Sequence, residues 1–415
     1  HTGRVRILPA SANADARILF FTRAVRAFVD GIAFVVFPVF LERLGFSGLQ
    51  IGVVVAAGLL GSAVLTLSVG LVSHRFGAVR MLTAGTVIML VTGLLLGVTT
   101  AFWALVLIGI VTTMNTSAGD VSPFLPLEQA LLTSTVPDTD RTALFARFNL
   151  VASLVGSVGA LCAGIPVALA AGWGHSEQTG RHAAFVLYGL AGLVVLPAYR
   201  RLGDAARVRT ERGRSSLGPD SRHTVLRLAA LFSLDSLGGG FATQAIFSLW
   251  VLRRFGLSTA TLGAVFFAAG ILAAVSSLVS ARVAARIGLV RTMVFTHIPA
   301  SVILVLVAFA PNVWTAMTLF VLRGLLSQMD VPVRTSYVMA VVAPHERAAA
   351  ASITNIPRSL ASALPPVLAG WMLDQSTFGW PLLICAACKI TYDLLLLAMF
   401  RDVRPPEEQP ASAPA

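Results

Sequence analysis

Arg23, Arg26 and Asp30 lie inside an apolar stretch that runs from Ile18 to Leu41. At 3.6 residues per turn their offsets place all three within about 60° on one helical face. Ionised side chains in such a stretch are stable only opposite partners or water, so the stripe marks a candidate functional surface. The pattern recurs later in the chain. Arg323, Asp330, Arg334 and Tyr337 share one face of another apolar segment, again within about 60°. Asp120, Glu128, Asp235, Arg358, Lys389 and Asp393 complete a set of twelve embedded charges, six acidic and six basic.

Charge type suggests a division of labour. Guanidinium groups stay charged and grip carboxylate or phosphate bidentately. Arg23, Arg26 and Arg334 are therefore assigned to an anionic group on a solute, with Tyr337 and Gln244 as further solute contacts. Carboxylates in apolar surroundings can take up and release protons. Asp30, Asp120, Asp330, Asp235 and Glu128 are accordingly assigned to proton coupling. The competing arrangement is a set of internal ion pairs that touch no solute. Lys389 and Asp393, spaced i, i+4, are expected to pair with each other. Arg23 and Arg26 need two partners, and Asp30 cannot fully serve both.

Other chemistries find no foothold. The sequence contains no phosphate-binding glycine loop, nucleophile elbow or metal-ligand cluster, and His175, His182, His223, His297 and His345 lack ligand spacing. Three cysteines cannot build a disulfide framework, and the CxxC of Cys385 and Cys388 falls in an apolar run, where small residues pack helices. No enzyme activity, cofactor or metal is expected.

The elements that must position these charges follow from composition. Of 415 residues, 56% are hydrophobic and 12% charged, with a mean hydropathy of +0.82. A soluble protein is roughly 25% charged, so the chain reads as an all-α integral membrane protein. Segments of about 20 apolar residues fall near 17–42, 48–72, 80–99, 102–136, 141–171 and 182–199, then 224–252, 258–281, 288–309, 313–343, 347–373 and 379–400. That gives twelve spans: a six-helix bundle over 17–199 and another over 224–400, joined by a polar linker at 200–223. Residues 1–16 read as an N-terminal tail without an apolar signal core, and 401–415 as a disordered tail. With both termini cytoplasmic, 21 arginines fall inside, 4 outside and the remaining six basic residues in spans. This asymmetry sets the orientation and accounts for the net charge of +12 without a nucleic-acid partner.

The halves repeat one another. Gly45, Ser47 and Gly52 recur 211 residues later as Gly256, Ser258 and Gly263, and Arg75, Gly77 and Arg80 as Arg286, Gly288 and Arg291. Farther on the offset is 206, where Arg141, Asn149 and Gly164 recur as Arg347, Asn355 and Gly370. A sustained offset implies two parallel bundles related by an axis along the membrane normal.

The stretch "GLVSHRFGAVR" (70–80) is similar to the loop between spans two and three of major facilitator superfamily transporters, which the chain resembles over essentially its whole length. Gly70, Arg75 and Gly77 match the pattern, whereas His74 stands at its acidic position. The resemblance implies that Gly70, His74, Arg75 and Gly77 form a conformational latch. With an imidazole in it, the latch is either pH-dependent or the histidine only caps the loop. It also implies that spans one, four, seven and ten line a central cavity, and nine of the twelve embedded charges fall in those four. Three of the four also carry helix breakers: Pro123 and Pro126, Gly238 to Gly240, and Pro332. Broken helices at membrane depth are tolerated where they face a cavity or ligand. "PLEQALL", "GDVSPFLP" and "QMDVPVRTSY" resemble segments of bacterial, export-type members.

The expectation is a multi-pass transporter of the bacterial inner membrane, monomeric and proton-coupled, exporting a small organic solute with an anionic group by alternating access. Its partners are that solute, protons and the lipid bilayer. A multidrug/proton antiporter and a proton-coupled importer stay open within transport. Outside it stand a lipid flippase and a non-transporting sensor.

Overall fold

The computed structural model describes residues 13–114, 122–133, 135–136, 138–203, 218–343 and 346–401. Asp120 and His345 lie outside the described residues, as do the side chains of Gly70 and His74. Among the described residues the chain forms seventeen α-helices and no strand. Among the described residues, nine helical segments are long and apolar enough to cross a membrane.

The first half contains α1 (Ala14–Arg43), α2 (Gly48–Phe76), α3 (Ala78–Leu96), α4 (Phe102–Val111), α5 (Phe124–Leu132), α6 (Asp138–Leu161), α7 (Ile165–Gly172) and α8 (Glu177–Arg200). The second contains α9 (Pro219–Phe241), α10 (Gln244–Phe255), α11 (Thr259–Ile287), α12 (Leu289–Ala308), α13 (Val313–Arg323), α14 (Asp330–Ala340), α15 (Arg347–Ala361), α16 (Pro365–Gln375) and α17 (Trp380–Phe400).

Three expected spans are each made of two shorter helices: α4 with α5, α13 with α14, and α15 with α16. Local chemistry explains the interruptions. Pro123 sits at the N-cap of α5, residues 324–329 form turns ahead of Asp330, and Pro365 opens α16. The expected seventh span bends at Ala242 (φ −126°, ψ 41°), after which the Thr243 hydroxyl accepts from the Ile246 amide and starts α10.

The repeat seen in the sequence reappears in backbone geometry. Gly45 and Gly256 end α1 and α10 with φ of 82° and 68°, and Gly77 and Gly288 precede α3 and α12 with φ of 82° and 89°. Only glycine adopts these angles without strain, so the same turn is specified at the same place in each half. Packing repeats too. In the first half α1 packs on α6 and α8, and α3 on α8; in the second, α9 packs on α15 and α17, and α12 on α17. Where α1 crosses α6 the backbones nearly touch: a Cβ on Gly31 would come within 2.1 Å of the Gly156 carbonyl oxygen, and one on Gly159 within 2.0 Å of the Phe28 carbonyl oxygen. Small residues at such crossings are how membrane helices gain contact when lipid is as apolar as their side chains.

The chain divides into two compact units. One holds the first half together with Thr243–Phe267, and the other holds Gly213–Ala242 and everything from Ala268 onward. Thr243–Phe267 joins the first unit because α10 lies on α1, Phe34 meets Phe266 edge to face at 5.2 Å, and Gly263 faces the backbone of Ala160. Each unit has its own apolar core. Leu19, Phe124, Leu132, Phe148 and Tyr199 anchor one, and Phe232, Met293, Tyr337, Tyr392 and Phe400 the other.

Candidate functional site: a buried charge cluster in each unit

In the first unit the charged stripe of α1 turns inward. Arg23 is buried, with its guanidinium 5.5 Å from the ring centre of Phe148 on α6. Arg26 stands 4.0 Å over the ring of Phe124 and is bonded to Glu128, both on α5. Arg26 is 2% exposed and Glu128 not at all, so the pair is removed from solvent. Tyr199 on α8 donates a second hydrogen bond to the same Glu128 oxygen, at 2.6 Å. Glu128 thus answers the demand for a second partner on the α1 stripe. Asp30 is half-buried one turn farther along, and Gln244 is half-buried in the first turn of α10.

In the second unit the cluster is larger. Asp235 on α9 accepts from Arg334 Nη1 at 2.9 Å through Oδ2 and from Lys389 Nζ at 2.7 Å through Oδ1. Arg334 also lies 3.5 Å from Asp330, one turn earlier on α14, and 5.5 Å over the Phe232 ring. Arg358 on α15 donates from Nε to the Ser236 hydroxyl at 2.8 Å. Arg323, at the end of α13, has a buried Nε without a hydrogen-bond partner among the described residues. Tyr337, assigned to the solute, is fully buried in the apolar core, perpendicular to the Phe400 ring at 6.2 Å.

The expected Lys389–Asp393 pair is not what forms. Lys389 turns to Asp235 on α9, while Asp393 accepts from His297 Nδ1 on α12 at 3.0 Å. Positions i and i+4 diverge by about 40° around a helix, enough here to aim the two groups of α17 at different neighbours. Sequence reasoning therefore missed His297, which it set aside for want of metal-ligand spacing, and Tyr199. The available signal was the cost of an imidazole inside an apolar span. Of the latch residues, Gly77 sets the turn between α2 and α3, and Arg75 is exposed.

One member of each cluster is related by the repeat, with its charge exchanged. Glu128 and Arg334 are 206 residues apart, the offset that relates Arg141 to Arg347. In the first unit a cation on α1 meets an anion on α5; in the second an anion on α9 meets a cation on α14.

Two units of apolar helices with charges buried inside each define an integral membrane protein. The sequence profile of the Major Facilitator Superfamily matches residues 19–249 and 228–415, and the chain belongs to that superfamily. An uncharacterized membrane protein of Saccharomyces cerevisiae, YJR124C, is 23% identical over 426 residues, covering 94% of this chain and 95% of its own. The nucleoside transporter NupG has a similar fold, with a TM-score of 0.72 at 14% identity over 94% of this chain and all of its own. So does a bacterial homolog of the human lysosomal transporter Spinster, inward-facing and unoccupied, with a TM-score of 0.69 at 13% identity over 94% and 96%. The protein is a multi-pass integral membrane transporter for a small-molecule substrate.

Proposed function

We propose that this transporter is proton-coupled and moves a small organic solute bearing an anionic group, with export as its working direction, by alternating access of two six-helix bundles across twelve crossings. The observation that carries the anionic preference is the charge balance of the second unit. Among the charges embedded in its described spans, Arg323, Arg334, Arg358 and Lys389 accompany Asp235, Asp330 and Asp393, with Asp374 at the exposed end of α16. Arg334 and Lys389 are engaged by Asp235, whereas Arg358 leans on a neutral hydroxyl and Arg323 keeps an unpartnered Nε. A buried surplus cation is costly, and an incoming carboxylate or phosphate would offset it. Arg323 and Arg358 thus join Arg23 and Arg334 as proposed anion contacts, while Arg26 serves the Glu128 pair. Tyr337 is better read as a core residue.

Proton coupling is assigned to Asp30, Asp120, Asp235 and Asp330, with Glu128 held in its ion pair. Asp120→Asn should abolish concentrative transport driven by a pH gradient; undiminished accumulation would remove Asp120 from the scheme. The location proposed is the inner membrane of a bacterium, in keeping with the export-type segments, with both termini in the cytoplasm.

The substrate class is tested by thermal-shift screening of the purified protein against organic carboxylates, phosphate esters, quaternary ammonium ions and neutral nucleosides. Arg23→Gln and Arg358→Gln are screened in parallel. Stabilisation by anions that is lost in these variants supports the reading. Equal stabilisation of all three proteins by cations or neutral solutes refutes it.

A further inference from the structure

His297 holds two different partners on its two ring nitrogens. Nδ1 lies 3.1 and 3.0 Å from the two carboxylate oxygens of Asp393, and Nε2 lies 3.3 Å from Lys389 Nζ. An ionised carboxylate only accepts and an ammonium only donates. With Asp393 ionised and Lys389 charged, the ring that satisfies these contacts is neutral, with its hydrogen on Nδ1 and a bare lone pair on Nε2. Lys389 spans the gap onward to Asp235 Oδ1 at 2.7 Å, and that same oxygen is 3.8 Å from Nε2.

A proton arriving at Nε2 reverses one of these contacts. The lone pair becomes an N–H bond, and the ring becomes an imidazolium facing an ammonium that has nothing with which to accept. The nearest acceptor for the new donor is Asp235 Oδ1, already occupied by Lys389. Charge repulsion and competition for one oxygen both push Lys389 away, and the imidazolium takes its place.

We propose that His297 is a proton-binding site whose occupancy exchanges the Lys389–Asp235 contact for a His297–Asp235 contact. The exchange moves an inter-helix tie: Lys389 joins α17 to α9, whereas His297 joins α12 to α9. Asp235 keeps Arg334 on its other oxygen throughout, so the proton is felt by the cluster proposed to receive the solute.

The groups that bear on the ring come from every neighbouring element. From α17 these are Asp393, Lys389 and Tyr392, whose ring centre is 6.0 Å away. From α9 it is Asp235, with Arg334 and Asp330 of α14 tied to it. Arg323 is the one charged residue of α13. His297 is 3% exposed and Asp393 not at all, so water does not screen the exchange.

That this proton drives transport rests on the function proposed above; the protonation and exchange do not, and can be read without substrate. The full-length protein, labelled with [15N]histidine and held in lipid nanodiscs, is titrated by NMR between about pH 8 and pH 5. His297→Gln identifies the ring signal among the seven histidines. Should that variant not fold, the signal that moves in both Asp393→Asn and Tyr392→Phe identifies it. The expected result is an Nδ1–H neutral ring at high pH and a transition to imidazolium on acidification. Removing the like charge in Lys389→Met should move that transition on the pH axis. An Nε2–H tautomer, a ring that keeps one charge state across the range, or a transition indifferent to Lys389→Met would each overturn the proposal. A protein with a titrating His297 but no pH-gradient-driven flux would instead count against the transport reading alone.

Discussion

A buried ion pair is weak as a source of stability and strong as a constraint, because each charge has given up its hydration for the other. Arg26 and Glu128 meet that description, with Tyr199 supplying an extra donor and Phe124 a face for the guanidinium. Removing one member strands the other. Arg26→Met or Glu128→Leu alone should each cost about 3–5 kcal/mol, while the two together should come out near neutral. A double-mutant cycle on unfolding in detergent reads the difference. Costs that simply add would show that the two residues are not coupled. The single and double variants also bear on transport, since a pair with a purely structural role leaves flux intact in the double variant.

Helix contacts set different limits. Gly31 and Gly159 sit where α1 and α6 touch through backbone, and no side-chain adjustment can make room for a Cβ there. Gly31→Ala should separate the helices, lowering both the yield of folded protein and its Tm. Gly239→Ala is the contrast: nothing lies within 4 Å of its Cβ position, and alanine favours the interior of α9. It should be neutral or stabilising by about 0.5–1 kcal/mol. At the other end of α1, Glu42 accepts two hydrogen bonds from Arg253 on α10, at 2.9 and 2.8 Å. These positions are 211 residues apart and hence equivalent in the repeat. Both side chains are partly exposed, so their coupling should measure about 1 kcal/mol or less and weaken in salt. The reversed pair Glu42→Arg with Arg253→Glu should recover most of what either single reversal loses.

For the molecule in its membrane, orientation is the first property to check. Arginine asymmetry predicts that the linker is cytoplasmic and the turn after α3 lies outside. In a cysteine-free background, Arg201→Cys should react with an impermeant thiol reagent only from the cytoplasmic side, and Thr100→Cys only from the opposite side. Inverted labelling would reverse the topology and with it the sense of export.

Sequence alone determined the class of molecule. Hydropathy, arginine asymmetry and a repeat of fixed offset are one-dimensional signals, because a helix that crosses a bilayer must be apolar along its own length. The charged stripes were legible for the same reason: helical period places Arg23 with Arg26, and Arg334 with Asp330, on one face. The identity of the partners was not legible. Arg26 finds Glu128, 102 residues away, and Lys389 finds Asp235, 154 residues away, through packing that no local spacing encodes. The i, i+4 pairing of Lys389 with Asp393 failed for that reason: a buried charge is satisfied by whichever helix face it is pressed against. His297, unremarkable as one histidine in an apolar run, became a candidate proton site only once α9, α12 and α17 were folded around it.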